Sequence, residues 1–322
     1  MEEKFLNEII CGLKQRLGEE YELESVKQKK NNGITLTGVS IKMRTNSAGK
    51  VFYLDSYFLD YQRGELTVSD IVKDIATNVV YSEYPDGYAL MKLAGDYDCI
   101  KDKIRIKLVN YKVNREMLSN QVHESYLDLA AVAYVLLGSV SGGMMTMQIS
   151  HKILKLWGKS EQEVYQTGLA NTFRDESVHI EDMKHILLQR MNEITGYGME
   201  SQETEKEQEE IRELLSVMIE EVPRLYVATN KEKHYGAVAL MDIPTLQKFA
   251  DEKESDLIIY PCSLHEVLLQ PETDVENAEI VPVKEVNNSS VPREDQLSNS
   301  VYLFKRDTGT VSIFREGELL EA

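Results

Sequence analysis

Pro261-Cys262-Ser263-Leu264-His265-Glu266 sets a thiol, a hydroxyl, an imidazole and a carboxylate side by side, directly behind the apolar run Leu257-Ile258-Ile259-Tyr260. A thiol or hydroxyl becomes a useful nucleophile when an imidazole takes its proton and a carboxylate orients that imidazole. Cys262 or Ser263 as nucleophile, His265 as base and Glu266 as orienting acid would make a hydrolase or a transferase. The end of a buried strand is also where enzymes often seat such groups. The spacing points the other way, because nucleophile and base normally arrive from separate elements. The alternative is a turn in which Ser263 or His265 bonds backbone groups left over between two strands. Asn230, in Ala228-Thr229-Asn230-Lys231, poses the same choice between a catalytic group and a turn asparagine.

Other chemistries leave weaker marks. The six histidines are His123, His151, His179, His185, His234 and His265. His123-Glu124 and His265-Glu266 lack a second His four residues after the first, so the zinc-helix signature is absent. His179 and His185, six apart, fall roughly 240° apart around a helix. No CxxC occurs, and no metal site is expected. Neither GxGxxG nor GxxxxGK[ST] is present, and the glycine-rich Gly138–Gly143 has no helix start carrying Lys and Ser/Thr behind it, so no phosphate-bearing cofactor is expected.

Charge is distributed unevenly. Thirty-six Lys and Arg stand against 54 Asp and Glu, a net of −18 in 322 residues, which argues against wholesale binding to nucleic acid or an anionic membrane. Between Ser25 and Lys50, however, there are six cations and no acid. Lys27, Lys29, Lys42 and Arg44 from that stretch, with Lys103, Arg105 and Lys107 on a later strand, are the candidate binding residues. A positive sheet face would suit an acidic protein partner or, less favourably, nucleic acid. The alternative is a solvated sheet whose lysines block edge pairing. No aromatic residues interleave with these cations to stack bases.

The elements that must position these groups read as a mixed chain with 42% apolar residues, enough for a substantial core. Helical spacing marks Phe5 to Leu17, with Gly18 as cap. Tyr21–Lys29 and Ile34–Met43 read as strands around Asn31-Asn32-Gly33, and Val51 to Leu54 as a third apolar run. Thr67 and Asp70 have capping-box spacing before a stripe from Val68 to Val79. Ile100 to Leu108 reads as a strand with Lys103, Arg105 and Lys107 on its other side. Ser125–Leu137 is expected to be a buried strand, Gly138–Gly143 a flexible loop, and Met144–Ile149 its returning partner. Two helices should follow, the second from a Ser160/Glu163 capping box burying Val164, Leu169 and Phe173, then another over His179–Ile194. Residues 199–222 carry nine Glu against Lys206 and Arg212; 199–210 reads as a linker and 211–222 as a helix with an acidic outer face. Beyond Pro223, Leu225–Thr229 and Ala237–Met241 read as strands, Asp242 and Pro244 open a helix, and Leu257–Tyr260 and Glu266–Leu269 are strands. A covering segment over 271–299 and a terminal hairpin around Asp307-Thr308-Gly309 complete the chain.

Strands and helices intermix without regular βα alternation. The predicted class is therefore α+β, with mixed, mostly antiparallel sheets and amphipathic helices packed on them. Three regions are expected: 1–198, the acidic linker and helix 199–222, and 223–322. The longest apolar run, Leu129–Leu137, is nine residues against the ~20 that a membrane-spanning helix needs. The acidic opening Met1–Glu8 is unlike a secretory signal, and Cys11, Cys99 and Cys262 are odd in number and far apart, as in a reducing compartment. A cytoplasmic protein is expected.

Several segments together carry a resemblance. Leu225–Asn230, Gly236-Ala237 and Asp256–Val267 resemble an uncharacterised bacterial family, domain-of-unknown-function family 5688, in a strand ending in Thr-Asn, a Gly-Ala and a Pro-Ser-Ser-x-His-Glu-Val-like segment. Cys262 stands where the first of those Ser would be, which counts against a required nucleophile there. Asn110–Leu118, His123–Tyr134, Leu154–Gly158 through Asn171-Thr172, and Leu297–Tyr302 are similar as well. The resemblance implies one integrated unit and no particular activity, substrate or cofactor. Three functions therefore stand: a non-enzymatic binding or accessory protein, most simply with a protein partner; a hydrolase or transferase through Cys262 or Ser263 with His265; and a nucleic-acid-associated protein using a basic sheet face.

Overall fold

In the computed structural model, residues 1–46, 49–80, 92–140, 143–174, 178–196, 224–275 and 281–314 are described. Helix α1 (Glu3–Leu17) buries Phe5, Ile9, Leu13 and Leu17 as one stripe. It stops at Gly18, whose φ of 83° is cheap only without a Cβ and whose N–H caps the Lys14 carbonyl. Strands β1 (Tyr21–Lys29), β2 (Thr35–Met43) and β3 (Lys50–Tyr53) follow as an antiparallel sheet. The turn between β1 and β2 places Asn32 at φ 59°, a conformation asparagine tolerates better than most residues. Helix α2 (Asp55–Arg63) and α3 (Val68–Val80) come next. At the start of α3 the Thr67 hydroxyl accepts from the Asp70 N–H, and the Asp70 carboxylate accepts from the Thr67 N–H and hydroxyl. Val39, Ile41, Leu54 and the apolar stripes of α1 and α3 close one core.

The middle of the chain contains α4 (Tyr97–Ile100), β4 (Ile104–Asn110), α5 (Arg115–Leu118), β5 (His123–Tyr126), β6 (Leu129–Val140), β7 (Gly143–Gln148), α6 (His151–Trp157) and α7 (Glu161–Thr172). Ile100 ends a helical turn instead of starting the strand. Gly138 belongs to β6: the β6–β7 register shifts between Leu136 and Gly138, so the glycine serves an irregularity inside a ladder where a flexible loop was expected. Ser160 and Glu163 form the expected capping box; α7 buries Val164, while Leu169 and Phe173 are half-buried.

The last part begins with β8 (Val178–Asp182) and α8 (Met183–Gly196), so the expected helix over His179–Ile194 starts four residues late. His179, Ile180 and their neighbours instead pair antiparallel with β9 (Tyr226–Asn230). A five-residue strand followed by a helix offers too few positions for either period to dominate. Residues 199–222, expected as linker and helix, lie outside the described residues. Gly236–Met241 is a 3-10 turn, not the expected strand. Its five leading residues are all buried, and a fully buried apolar run has no periodicity to betray its form. Helix α9 (Ile243–Lys253) opens on Asp242, whose carboxylate accepts from the Thr245 N–H. β10 (Leu257–Tyr260), β11 (Val267–Pro271), α10 (Val283–Ser290), β12 (Tyr302–Lys305) and β13 (Thr310–Ile313) follow. They give a six-stranded sheet in the order β13-β12-β10-β11-β9-β8, antiparallel at every pairing. β4, β6 and β5 lie in that order in a third sheet, with β7 on β6.

Together these elements make an α+β fold. The described residues group into two compact units: Met1–Arg105, Val113–His123 and Ala133–Asn171 in the first, Ile106–Lys112, Glu124–Val132 and Thr172–Ala322 in the second. In the second, Asp128 fastens the segment before β12. Its carboxylate accepts from the Ser298 hydroxyl at 2.7 Å, the Ser300 hydroxyl at 3.0 Å and the Tyr302 hydroxyl. Burial and that carboxylate raise the Tyr302 phenol far above its ordinary range. No helix among the described residues is long and apolar enough to cross a membrane.

Candidate functional site

The segment 261–266 leaves β10 and runs beside residues 295–298. Ser263 pairs with Gln296 in an isolated antiparallel bridge. The Leu264 N–H donates to the Asp295 carbonyl, the Leu297 N–H to the Cys262 carbonyl and the Ser298 N–H to the Pro261 carbonyl. This backbone pairing decides where the side chains go. Cys262 is buried, and burial, reinforced by the Glu266 carboxylate, pushes its thiol up to about 11; at neutral pH it is a small hydrophobe, not a nucleophile. The Ser263 hydroxyl accepts the His265 N–H at 3.0 Å, the turn bond that a serine two residues upstream typically makes.

His265 is the centre of a small cluster. Its Nδ1 accepts the Tyr235 N–H at 3.3 Å, which places the proton on Nε2, 3.5 Å from the Asp295 carboxylate. The His265 and Asp295 side chains are 25% and 30% exposed, so solvent reaches the pair. The Tyr235 ring stacks parallel to His265 at 5.9 Å, with the His234 ring 5.0 Å from His265. Behind Tyr235 the Lys107 ammonium sits 4.3 Å from the ring centroid, and Lys107 is only 6% exposed. Burial, His265 and Lys107 together hold the His234 imidazole down at about 4, against an opposing pull from Asp295.

The loop that presents His234 and Tyr235 is tightly specified. The Asn230 amide donates to the His234 carbonyl, and its oxygen accepts the His234 N–H, so Asn230 is a turn asparagine. Lys233 and Tyr235 both have positive φ without being glycine, a conformation that persists only where surroundings enforce it. Gly236 explains the enforcement: a Cβ there would lie 2.1 Å from the Thr229 hydroxyl oxygen and 2.4 Å from the His265 carbonyl. The Thr229 hydroxyl donates to that same carbonyl at 2.8 Å. Among the described residues no group of three or more His, Cys, Asp or Glu side chains could hold a metal ion.

The seven candidate binding cations do not share a face. The β1–β2 register pairs Leu23 with Ile41, Ser25 with Val39, Lys27 with Thr37 and Lys29 with Thr35. Lys27 and Lys29 therefore lie on the side of the sheet that carries the buried Val39 and Ile41, and Lys42, opposite Glu22, lies on the other. Lys29 pairs with Glu116 at 3.0 Å; Lys42 and Arg44 pair with Glu22 at 3.0 and 3.2 Å. The Lys103 ammonium donates to the Leu137 carbonyl, and the Arg105 guanidinium to the Asp102 and Ile104 carbonyls. Lys107 is the buried cation over Tyr235. Of the expected strand face of three cations, then, one precedes the strand, one turns back on the backbone and one is interior, because β4 buries residues on both sides.

A family model described as a family of unknown function (DUF5688) matches residues 2–306. The chain belongs to that family. No curated protein and no solved structure matches it.

Local residue types and spacing single out His265, Ser263 and Asn230 but not their partners. Asp295, His234 and Tyr235 supply the groups around the imidazole, and Glu266, adjacent in sequence, does not. Asp295 lies thirty positions on, in a covering segment, where no spacing rule connects it to His265. The Gly236-Ala237 pair was the nearest available signal, since a glycine followed by buried residues marks a close backbone approach.

Proposed function

We propose that this protein works by binding, with a protein as its partner, and not by making or breaking bonds. One observation carries the proposal: the side chains of 261–266 that could do chemistry are already spent on the fold. The Cys262 thiol is buried and protonated, the Ser263 hydroxyl holds a backbone N–H, and both His265 nitrogens have partners in Tyr235 and Asp295. A base with no free nitrogen has nowhere to take a proton from a nucleophile. The three cysteines, none in a disulfide, fit a cytoplasmic setting. Treatment of the folded protein with a fluorophosphonate and with iodoacetamide should leave Ser263 and Cys262 unmodified, while affinity capture from cell extract at several salt concentrations should recover a protein. Rapid, His265-dependent labelling of either residue would overturn the proposal.

Hydrolysis or group transfer is the second function: were the Tyr235 N–H, 3.3 Å from Nδ1, to give way to a substrate, the solvent-reached imidazole could act as a base with Asp295 in the role first sought in Glu266. Its signature would be turnover of an ester or amide substrate that disappears in both His265→Ala and Asp295→Asn. Nucleic-acid association has less support, since the cations are divided between two sheet faces and three of the seven are paired with Glu22 or Glu116. Retention on nucleic acid that weakens steeply with salt would restore it.

A further inference from the structure

The first unit contains a cleft of about 310 Å³, lined by Lys29, Lys30, Asn120, Gln121, Gln148 and Ser150 with Glu116 at its rim. Gln121 is 4% exposed. Its backbone is fully used, the N–H on the Leu118 carbonyl and the carbonyl on His123 Nδ1. Its side-chain amide has no hydrogen-bond partner among the described residues, and the same holds for the amides of Asn120 and Gln148. Ser150 occupies the cap position of α6 without its hydroxyl capping the helix, although serine at that position usually does so. The Gln121 side chain is nearly buried, yet its amide atoms remain open to solvent, as are those of the exposed Asn120 and Gln148, so none of the three amides is committed to the fold. Three amides and a hydroxyl lining one small cleft are therefore polar capacity held for something that enters it.

The chemistry of the lining restricts the occupant. A carboxamide offers a donor and an acceptor together, matching an amide or a peptide group. The rim carries both signs of charge: Lys29 and Glu116 form an ion pair 3.0 Å long, exposed enough for a ligand to exchange with it, and the Lys30 ammonium lies 4.1 Å from the Tyr53 ring centroid. The lining contains no aromatic side chain, which disfavours a nucleobase or another ring that needs a stacking platform. The volume sits at the small end of the ligand range of about 300–1,000 Å³. We propose that this cleft binds a small zwitterion with amide character, a free amino acid or a dipeptide, held by Gln121, Gln148 and Asn120 and oriented by Glu116 and the two lysines. This site is separate from protein binding, and either can fail without the other.

Calorimetric titration of the full chain with L-glutamine and glycylglutamine, beside N-acetylglycinamide and glucose, tests it. Saturable binding of at least one charged probe is expected, with the two uncharged compounds weaker by about tenfold or more. Gln121→Leu should lose the binding while melting close to the parent, since its amide makes no hydrogen bond among the described residues for the substitution to break. Gln148→Ala, at an exposed position, repeats the test without touching the interior. Failure of both charged probes to saturate by about 10 mM, equal binding of an uncharged compound, or unchanged affinity in both variants would overturn the assignment.

Discussion

The His265 cluster and the Gln121 cleft are opposites. Around His265 the polar groups satisfy one another: imidazole with Asp295 and Tyr235, Asn230 with His234, Thr229 with the His265 carbonyl. Around Gln121, three amides line a cleft and have no hydrogen-bond partner among the described residues. The residues with the more reactive chemistry are the ones consumed by structure, and the unreactive amides are the ones left available. A histidine beside a cysteine and a serine draws attention in a sequence, but what matters for function is which groups still have unused hydrogen-bonding capacity once the fold is complete.

Gly236→Ala strikes the closed region hardest. The new Cβ meets backbone and the Thr229 hydroxyl at 2.1–2.8 Å, so a loss of about 3–5 kcal/mol is expected in chemical denaturation. A loss below about 1 kcal/mol would mean that the 230–236 loop is far more yielding than its hydrogen bonds imply. Asp128→Ala, elsewhere in the same unit, should cost about 3 kcal/mol by leaving three hydroxyls without their charged acceptor, and Asp128→Asn should recover part of it. The His234 contribution follows from its depressed proton affinity. The unfolded chain takes up a proton as pH falls below about 6.5, while folded His234 resists until about 4, so stability should decline across that window. The decline should be about 1 kcal/mol after allowing for partial solvent screening, and His234→Gln should flatten it in denaturation curves collected between those pH values. Smallest is Gln121→Leu, expected to change stability by less than about 1 kcal/mol; a clear destabilisation would show that the cleft is not spare capacity and would collapse the contrast.

Local signals served well where one element decides its own form. The Thr67/Asp70 and Ser160/Glu163 boxes, Gly18, the Asn32 turn and the Asp242 cap all depend on residues within a few positions of one another, and each is realised. Elements whose form depends on distant partners were less legible. β8 is a strand because β9 receives it, and Gly236–Met241 curls into a 3-10 turn because its apolar residues are buried on every side. The same limit applies to the site. His265 could be singled out, but Asp295 could not, and the expected basic face dissolved once strand register separated Lys27 and Lys29 from Lys42. Nothing in the local sequence distinguishes Gln121 from any other glutamine; only burial without a partner does.

The position of β10 sets a condition on synthesis. It lies between β11 and β12, and β11 follows it almost at once, whereas β12 is reached only after the long segment that contains α10. At translation rates of about 5–20 residues per second, the wholly apolar Leu257–Tyr260 waits seconds on the ribosome with one ladder edge bare. Such an edge recruits other chains. Stalling within that interval should therefore yield a nascent product that aggregates or stays with a holding chaperone, and release should come with the arrival of Tyr302–Lys305.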